Sequence, residues 1–238
     1  MTHSNLDSIK ARLQEFVNKD YAIHHTQYFQ AFPGGYGEGD VFIGLRVPQM
    51  RLVSKEYRDL SFIELEDLIT SDIHEYRFVA LLILIIQFRK ANKTDNALKH
   101  VEFYKKHIKY VNNWDLVDLS ARVILGEYLL NKDTSLLYEY AKSDNLWIQR
   151  IAMLSTYAFI KNNKFEDAQA LASIFLTHKH DLMHKAAGWM LREMGKKNID
   201  ELRTYLNENY KSMPRTMLRY AIERLPNEER LKYLKGLI

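Results

Sequence analysis

The stretch IQRIAMLST, residues 148–156, decides the fold, because its outline recurs. YRFVALLIL (76–84), MHKAAGWML (183–191) and MLRYAIERL (217–225) share it: a basic residue, a small or branched residue two places on, then an apolar continuation. The basic residues are Arg77, Arg150, Lys185 and Arg219. The last three are 35 and 34 residues apart, and Arg77 precedes Arg150 by 73, which leaves room for one more unit. VNNWDLVDLSARVILGEYLL (111–130) supplies it, with Asp118 near the equivalent place and Ser120 as the small residue. Apolar residues fall every three or four positions through these segments, the period of packed helices. Units of two helices, drifting over the thirties and low forties in length, predict a HEAT-like α-solenoid.

Outside these segments the pattern is the same. Short polar breaks such as NKDTS, KNNK and KKNID separate long periodic stretches, and no strand-like alternation stands out. The reading is all-α, with about a dozen or more helices by that count. The most apolar run, FVALLILIIQF at 78–88, is 11 residues long, against the roughly 20 of a membrane span, so it reads as a core helix. The chain has 238 residues, 47% of them hydrophobic and 27% charged, enough to bury a sizeable core as one domain over 1–238. There is no cysteine, which excludes disulfide and thiolate chemistry and suits a reducing cytoplasm. MTHSNLDSIKARL lacks the apolar stretch of a signal peptide. The net charge of +4 is compatible with a polyanion partner without demanding one.

Equivalent positions in a solenoid line one face, usually the concave one. That face is expected to carry Arg77, Asp118, Arg150, Lys185 and Arg219, a basic ladder with one acid in its middle. The alternative is that each basic residue is an ordinary solvated charge.

The two aspartates of 111–130 differ in what they need. Asn113 is a good N-cap, so Asp115 falls in the first turn, where a carboxylate favours the helix dipole by about 0.3–1 kcal/mol. It reads as structural. Asp118 is a full turn in, among Leu116, Val117, Leu119 and Val123, where an unpaired charge is costly. An ion pair with Arg122 at i+4 and a role toward substrate both fit it. Trp114 is at i−4 from Asp118, so indole and carboxylate share a helix face. Trp189 follows two alanines and Gly188, with Arg192 at i+3. Core packing is the commoner role of a lone tryptophan, and Trp147, in NLWIQR, is read that way.

The segments WDLVDL (114–119), DNLWIQRIAML (144–154) and KAAGWMLREMGKKN (185–198), with weaker similarity around FIGLRVPQMR (42–51), resemble the bacterial DNA alkylation repair glycosylases of the HEAT-like-repeat type, the AlkD-like family. The likeness extends over nearly the whole chain, in consistent order. It implies excision of cationic N3- and N7-alkylpurines from duplex DNA by hydrolysis of the glycosidic bond. With no HExxH, P-loop or nucleophile elbow in the sequence, no cofactor and no metal are expected, and a monomer is. The catalytic carboxylate of that family falls on Asp118, and the two tryptophans flanking the lesion nucleotide fall on Trp114 and Trp189. Arg150 and Arg192 are implied to hold phosphates, and a duplex-facing tyrosine of an N-terminal helix falls on Tyr28. Lys185 and Arg219 extend the DNA track. PGGYGEGD (33–40) is longer and richer in glycine than the family's connection. Glu38 and Asp40 would repel phosphate, so it reads as a flexible connection between helices, and one that restricts the accepted DNA if it folds over the cleft.

Other chemistries find less support. His180 and His184 at i,i+4, with His178 and Asp181 nearby, have the spacing of two metal ligands, but solvated or phosphate-contacting histidines are the preferred reading. A non-catalytic HEAT-like scaffold that binds DNA or a protein is the alternative function. Asp118 with both tryptophans argues against it, since a scaffold needs none of the three.

Overall fold

The computed structural model describes residues 5–94 and 96–238. Among these residues it is all-α: 14 α-helices, two 3-10 turns and no strand, with one isolated bridge between Val41 and Ile73. The chain forms two compact units, one up to Ser120 and one from Ala121 onward.

The first unit contains α1 (Asn5–Gln14), α2 (Lys19–Tyr28), α3 (Val47–Glu56), α4 (Phe62–Ile69), α5 (His74–Asn92), α6 (Leu98–Lys106) and the opening turns of α7 (Trp114–Leu129). α5 is its centre. α3, α4 and α6 pack against α5, which is buried continuously from His74 to Ile85. A helix apolar all round must be covered all round, which is why FVALLILIIQF reads as core. No described helix is long and apolar enough to cross a membrane. Arg77 lies on this buried helix at 3% exposure, donating to the Ser71 carbonyl and to Asp40. Its expected place on an open basic face is therefore incorrect. The residue repeats the pattern of Arg150 but is spent inside the unit.

The second unit contains the rest of α7 with α8 (Ser135–Ala141), α9 (Leu146–Lys161), α10 (Glu166–Ile174), α11 (Asp181–Lys197), α12 (Ile199–Asn209), α13 (Arg215–Ala221) and α14 (Asn227–Lys235). α9, α11 and α13 pack in succession, while α8 and α10 lie against α9, and α10 and α12 against α11. The repeat seen in the sequence is this alternation. Arg150, Lys185 and Arg219 are each the fifth residue of their helix, as Asp118 is of α7. Small residues permit the approach. A β-carbon on Gly188 would stand 2.4 Å from the Met217 carbonyl, and one on Gly126 2.4 Å from that of Ser155.

Candidate functional site

In the first unit the site begins where α7 begins. The Asn113 carbonyl accepts the Val117 N–H at 3.1 Å, and its side-chain oxygen accepts the Trp114 N–H at 2.8 Å. Trp114 and Asp115 therefore occupy the first turn and Asp118 the next, on the face of Trp114. Asp118 and Trp114 are both half-buried. The Trp114 indole stacks on Phe29 at 5.1 Å and meets the Tyr28 ring edge-on at 5.8 Å. Tyr28 ends α2 and is 56% exposed. The structure thus brings Tyr28 beside Trp114, residues far apart in sequence.

Beneath this aromatic group lies an ionic set that sequence reasoning missed. His74, the first residue of α5, is 2% exposed. Its Nδ1 is 2.8 Å from an Asp40 oxygen and its Nε2 is 2.9 Å from an Asp115 oxygen. Asp40 also accepts from Arg77 and, at 3.0 Å, from the Asn112 amide. Burial opposes the charged imidazolium, but Asp115 and Asp40 outweigh it and push the His74 pKa up to about 9. Burial likewise opposes the Asp40 carboxylate, yet His74, Arg77 and Asn112 hold it below the ordinary carboxylate range. Two cations and two anions balance. Glu75 adjoins them, accepting from the backbone N–H groups of Ile43, Gly44 and Leu45. Asp115 lies in the first turn, as read, and has His74 as a partner besides the helix terminus.

The Gly-rich connection joins α2 to α3 as expected, but it is tied down rather than loose. The Tyr36 hydroxyl donates to the Tyr28 carbonyl at 3.2 Å, and the Gly34 N–H to Glu38 at 2.9 Å. A β-carbon on Gly37 would stand 2.3 Å from the Phe29 carbonyl and 3.0 Å from the Asn113 amide, so only glycine lets the loop lie against the start of α7.

The second unit holds the remaining expected residues. Trp189 is half-buried, and its indole N–H donates to Glu193 at 3.1 Å. Glu193 also accepts from Lys196 at 2.6 Å. Arg192 pairs with Glu223, with Glu193 at 3.7 Å, so any phosphate it holds must compete with carboxylates. Arg150 is buried at 5% exposure, and its guanidinium donates to the Leu182 carbonyl at 2.6 Å. Lys185 pairs with Asp181 one turn back at 2.8 Å, and Arg219 is exposed. Trp147 is buried at the start of α9, as its reading as a packing residue required. His178 lies 2.8 Å from Gln149, His180 accepts the Leu182 N–H as the N-cap of α11, and His184 contacts the His178 carbonyl. These imidazoles serve local structure.

The model of the DNA alkylation repair enzyme family matches residues 9–225. The chain belongs to that family. The structure of a predicted DNA alkylation repair enzyme from Enterococcus faecalis superposes with a TM-score of 0.71 at 18% identity, over 89% of this chain and 97% of that one. At that identity the likeness shows a shared fold and no residue roles. No curated protein matches. Family membership implies DNA as the substrate. His74, Asp40 and Glu193 had weaker signals: DIHEYR puts polar residues at the head of an apolar helix, and Asp40 ends the glycine run.

Proposed function

We propose that this member of the DNA alkylation repair enzyme family is a glycosylase that excises cationic N3-alkyladenine and N7-alkylguanine from duplex DNA. The observation that carries the reading is Asp118, a half-buried carboxylate one turn beyond a tryptophan that is itself held against Phe29 and Tyr28. Alkylation at N3 or N7 makes the purine cationic and weakens its bond to C1′. When that bond breaks, the purine leaves with the electron pair as a neutral base and positive charge develops on the sugar. Asp118 stabilises this oxocarbenium ion and orients the water whose oxygen bonds to C1′, its proton passing to the carboxylate or solvent. Trp114, on the same helix face, walls the deoxyribose, its π face favouring the cation by about 0.5–2 kcal/mol.

Lys185, Arg192, Arg219 and Tyr28 are proposed to contact the DNA backbone, and Arg150, buried like Arg77, to join them only by turning from the Leu182 carbonyl. The charge distribution supports this. Residues 1–120 carry 15 Lys and Arg against 16 Asp and Glu, whereas 121–238 carry 19 against 14, so the whole positive excess lies in the second unit. The alternating helix pairs of that unit support a HEAT-like solenoid. Recognition through sugar and phosphate makes selectivity follow the lability of the glycosidic bond, so uracil and hypoxanthine stay in place.

The test is incubation of excess, chelator-treated protein with methylated duplex DNA, followed by chromatography of released bases. Release of 7-methylguanine or 3-methyladenine is expected. Release of neither ends the glycosylase reading.

A further inference from the structure

We propose that His74 is a positioning residue: by bridging Asp40 and Asp115 it fixes the first turn of α7, and so sets the orientation of Trp114 and Asp118 toward substrate. The functional half of this proposal rests on the glycosylase reading.

The geometry is specific. Asp115 directly follows Trp114 and precedes Asp118 by three residues, so whatever holds Asp115 holds the turn bearing both. The opposite anchor is firm. His74 opens α5, the most buried helix of its unit, and Asp40 is itself held by Arg77 and Asn112. The bridge therefore runs from the core, through an imidazole, to the part of α7 that bears Trp114 and Asp118. Phe29 connects the two layers, lying 5.1 Å from Trp114 and 5.2 Å from His74.

The protonated ring is essential to the bridge. An imidazolium donates from both nitrogens, whereas the neutral ring donates from one and presents a lone pair at the other. On losing its proton, His74 can keep Asp40 or Asp115, but not both. The Asp115 side chain is 14% exposed, so water can take the place of the ring there, whereas Asp40 at 3% has no such recourse, and Asp115 is the end that lets go. The charged groups around the ring are Asp40 from the loop, Asp115 from α7 and, through Asp40, Arg77 from α5 itself. Glu75 turns instead to the amides of Ile43–Leu45, with His25 at 3.6 Å. Phe29 and Phe42 cover the ring. A buried ionic set is a costly adhesive, and apolar side chains of like volume often serve stability as well. What it supplies here is a fixed direction for one helical turn.

The experiment uses the full chain labelled with 15N-tryptophan, the Trp114 indole signal being assigned by Trp114→Phe. In the wild type that signal is expected to move as pH rises from about 7 to about 10, and to stay still in His74→Gln. In single-turnover assays on 7-methylguanine duplex DNA, His74→Gln is expected to slow release by about 10–100-fold, since a misplacement near 1 Å costs that much, while DNA affinity stays within about 2-fold. A Trp114 signal that does not move in the wild type overturns the proposal whatever the rates. A signal that moves while His74→Gln retains full excision overturns the functional half. If the wild type releases no base, the glycosylase reading has failed and the Trp114 signal alone decides the bridge.

Discussion

Asp115 and Asp118 sit three residues apart on one helix, and exchanging each for asparagine separates fold from chemistry. Asp115 faces His74 at 2.9 Å with 14% of its side chain exposed. Asp115 and Asp40 together push the His74 pKa from its ordinary 6.5 up to about 9 against the opposing effect of burial, on the order of 3 kcal/mol in favour of the imidazolium. Asparagine keeps the size and an acceptor oxygen but not the charge, so Asp115→Asn should cost roughly 2–3 kcal/mol at neutral pH. For a chain of this length that lowers Tm by about 4–12 °C. Excision should fall by about tenfold through the disturbed first turn. Asp118→Asn leaves the contact of Asp115 with His74 in place. It should lower excision by about 10²–10³, the cost of one electrostatic stabiliser, with DNA affinity nearly unchanged. Thermal unfolding followed by circular dichroism and single-turnover base release read the two axes. A Tm unchanged by Asp115→Asn, or a larger rate loss from Asp115→Asn than from Asp118→Asn, would refute the assignment of the two carboxylates.

Three other outcomes are expected. The folded pKa of His74 is raised, so its stabilising contribution is complete below about 6.5 and is lost as pH rises through about 9. Denaturant titrations should show wild-type stability dropping between pH 7 and 10 by up to roughly 3 kcal/mol, and His74→Gln losing much less over that window. Gly188→Ala places a β-carbon 2.6 Å from that of Tyr220 and 2.4 Å from a carbonyl oxygen, so α11 and α13 must separate. A loss of about 1–3 kcal/mol is expected, and a Tm at the wild-type value would contradict the close approach. Arg219→Ala and Lys185→Ala should each reduce the slope of log affinity against log salt by about 1, read by fluorescence anisotropy. Arg77→Ala should destabilise without changing that slope.

The sequence alone determined the helices and their repetition. Periodicity of apolar residues is a local property, and it identified the all-α class, the buried α5 and the shared register of Asp118, Arg150, Lys185 and Arg219. The N-cap at Asn113 fixed which turn of α7 holds each aspartate. The same reasoning misjudged Arg77, because register says which residues are equivalent, not which are covered. Only tertiary structure decided that Arg77 is enclosed with Asp40, that Tyr28 and Phe29 meet Trp114, and that His74 joins loop to helix. Asp40, His74 and Asp115 are separated by 34 and 41 residues, and no local pattern encodes a contact at that range. Their charges look ordinary in the sequence. They become a bridge only when folding removes the water that would otherwise screen them.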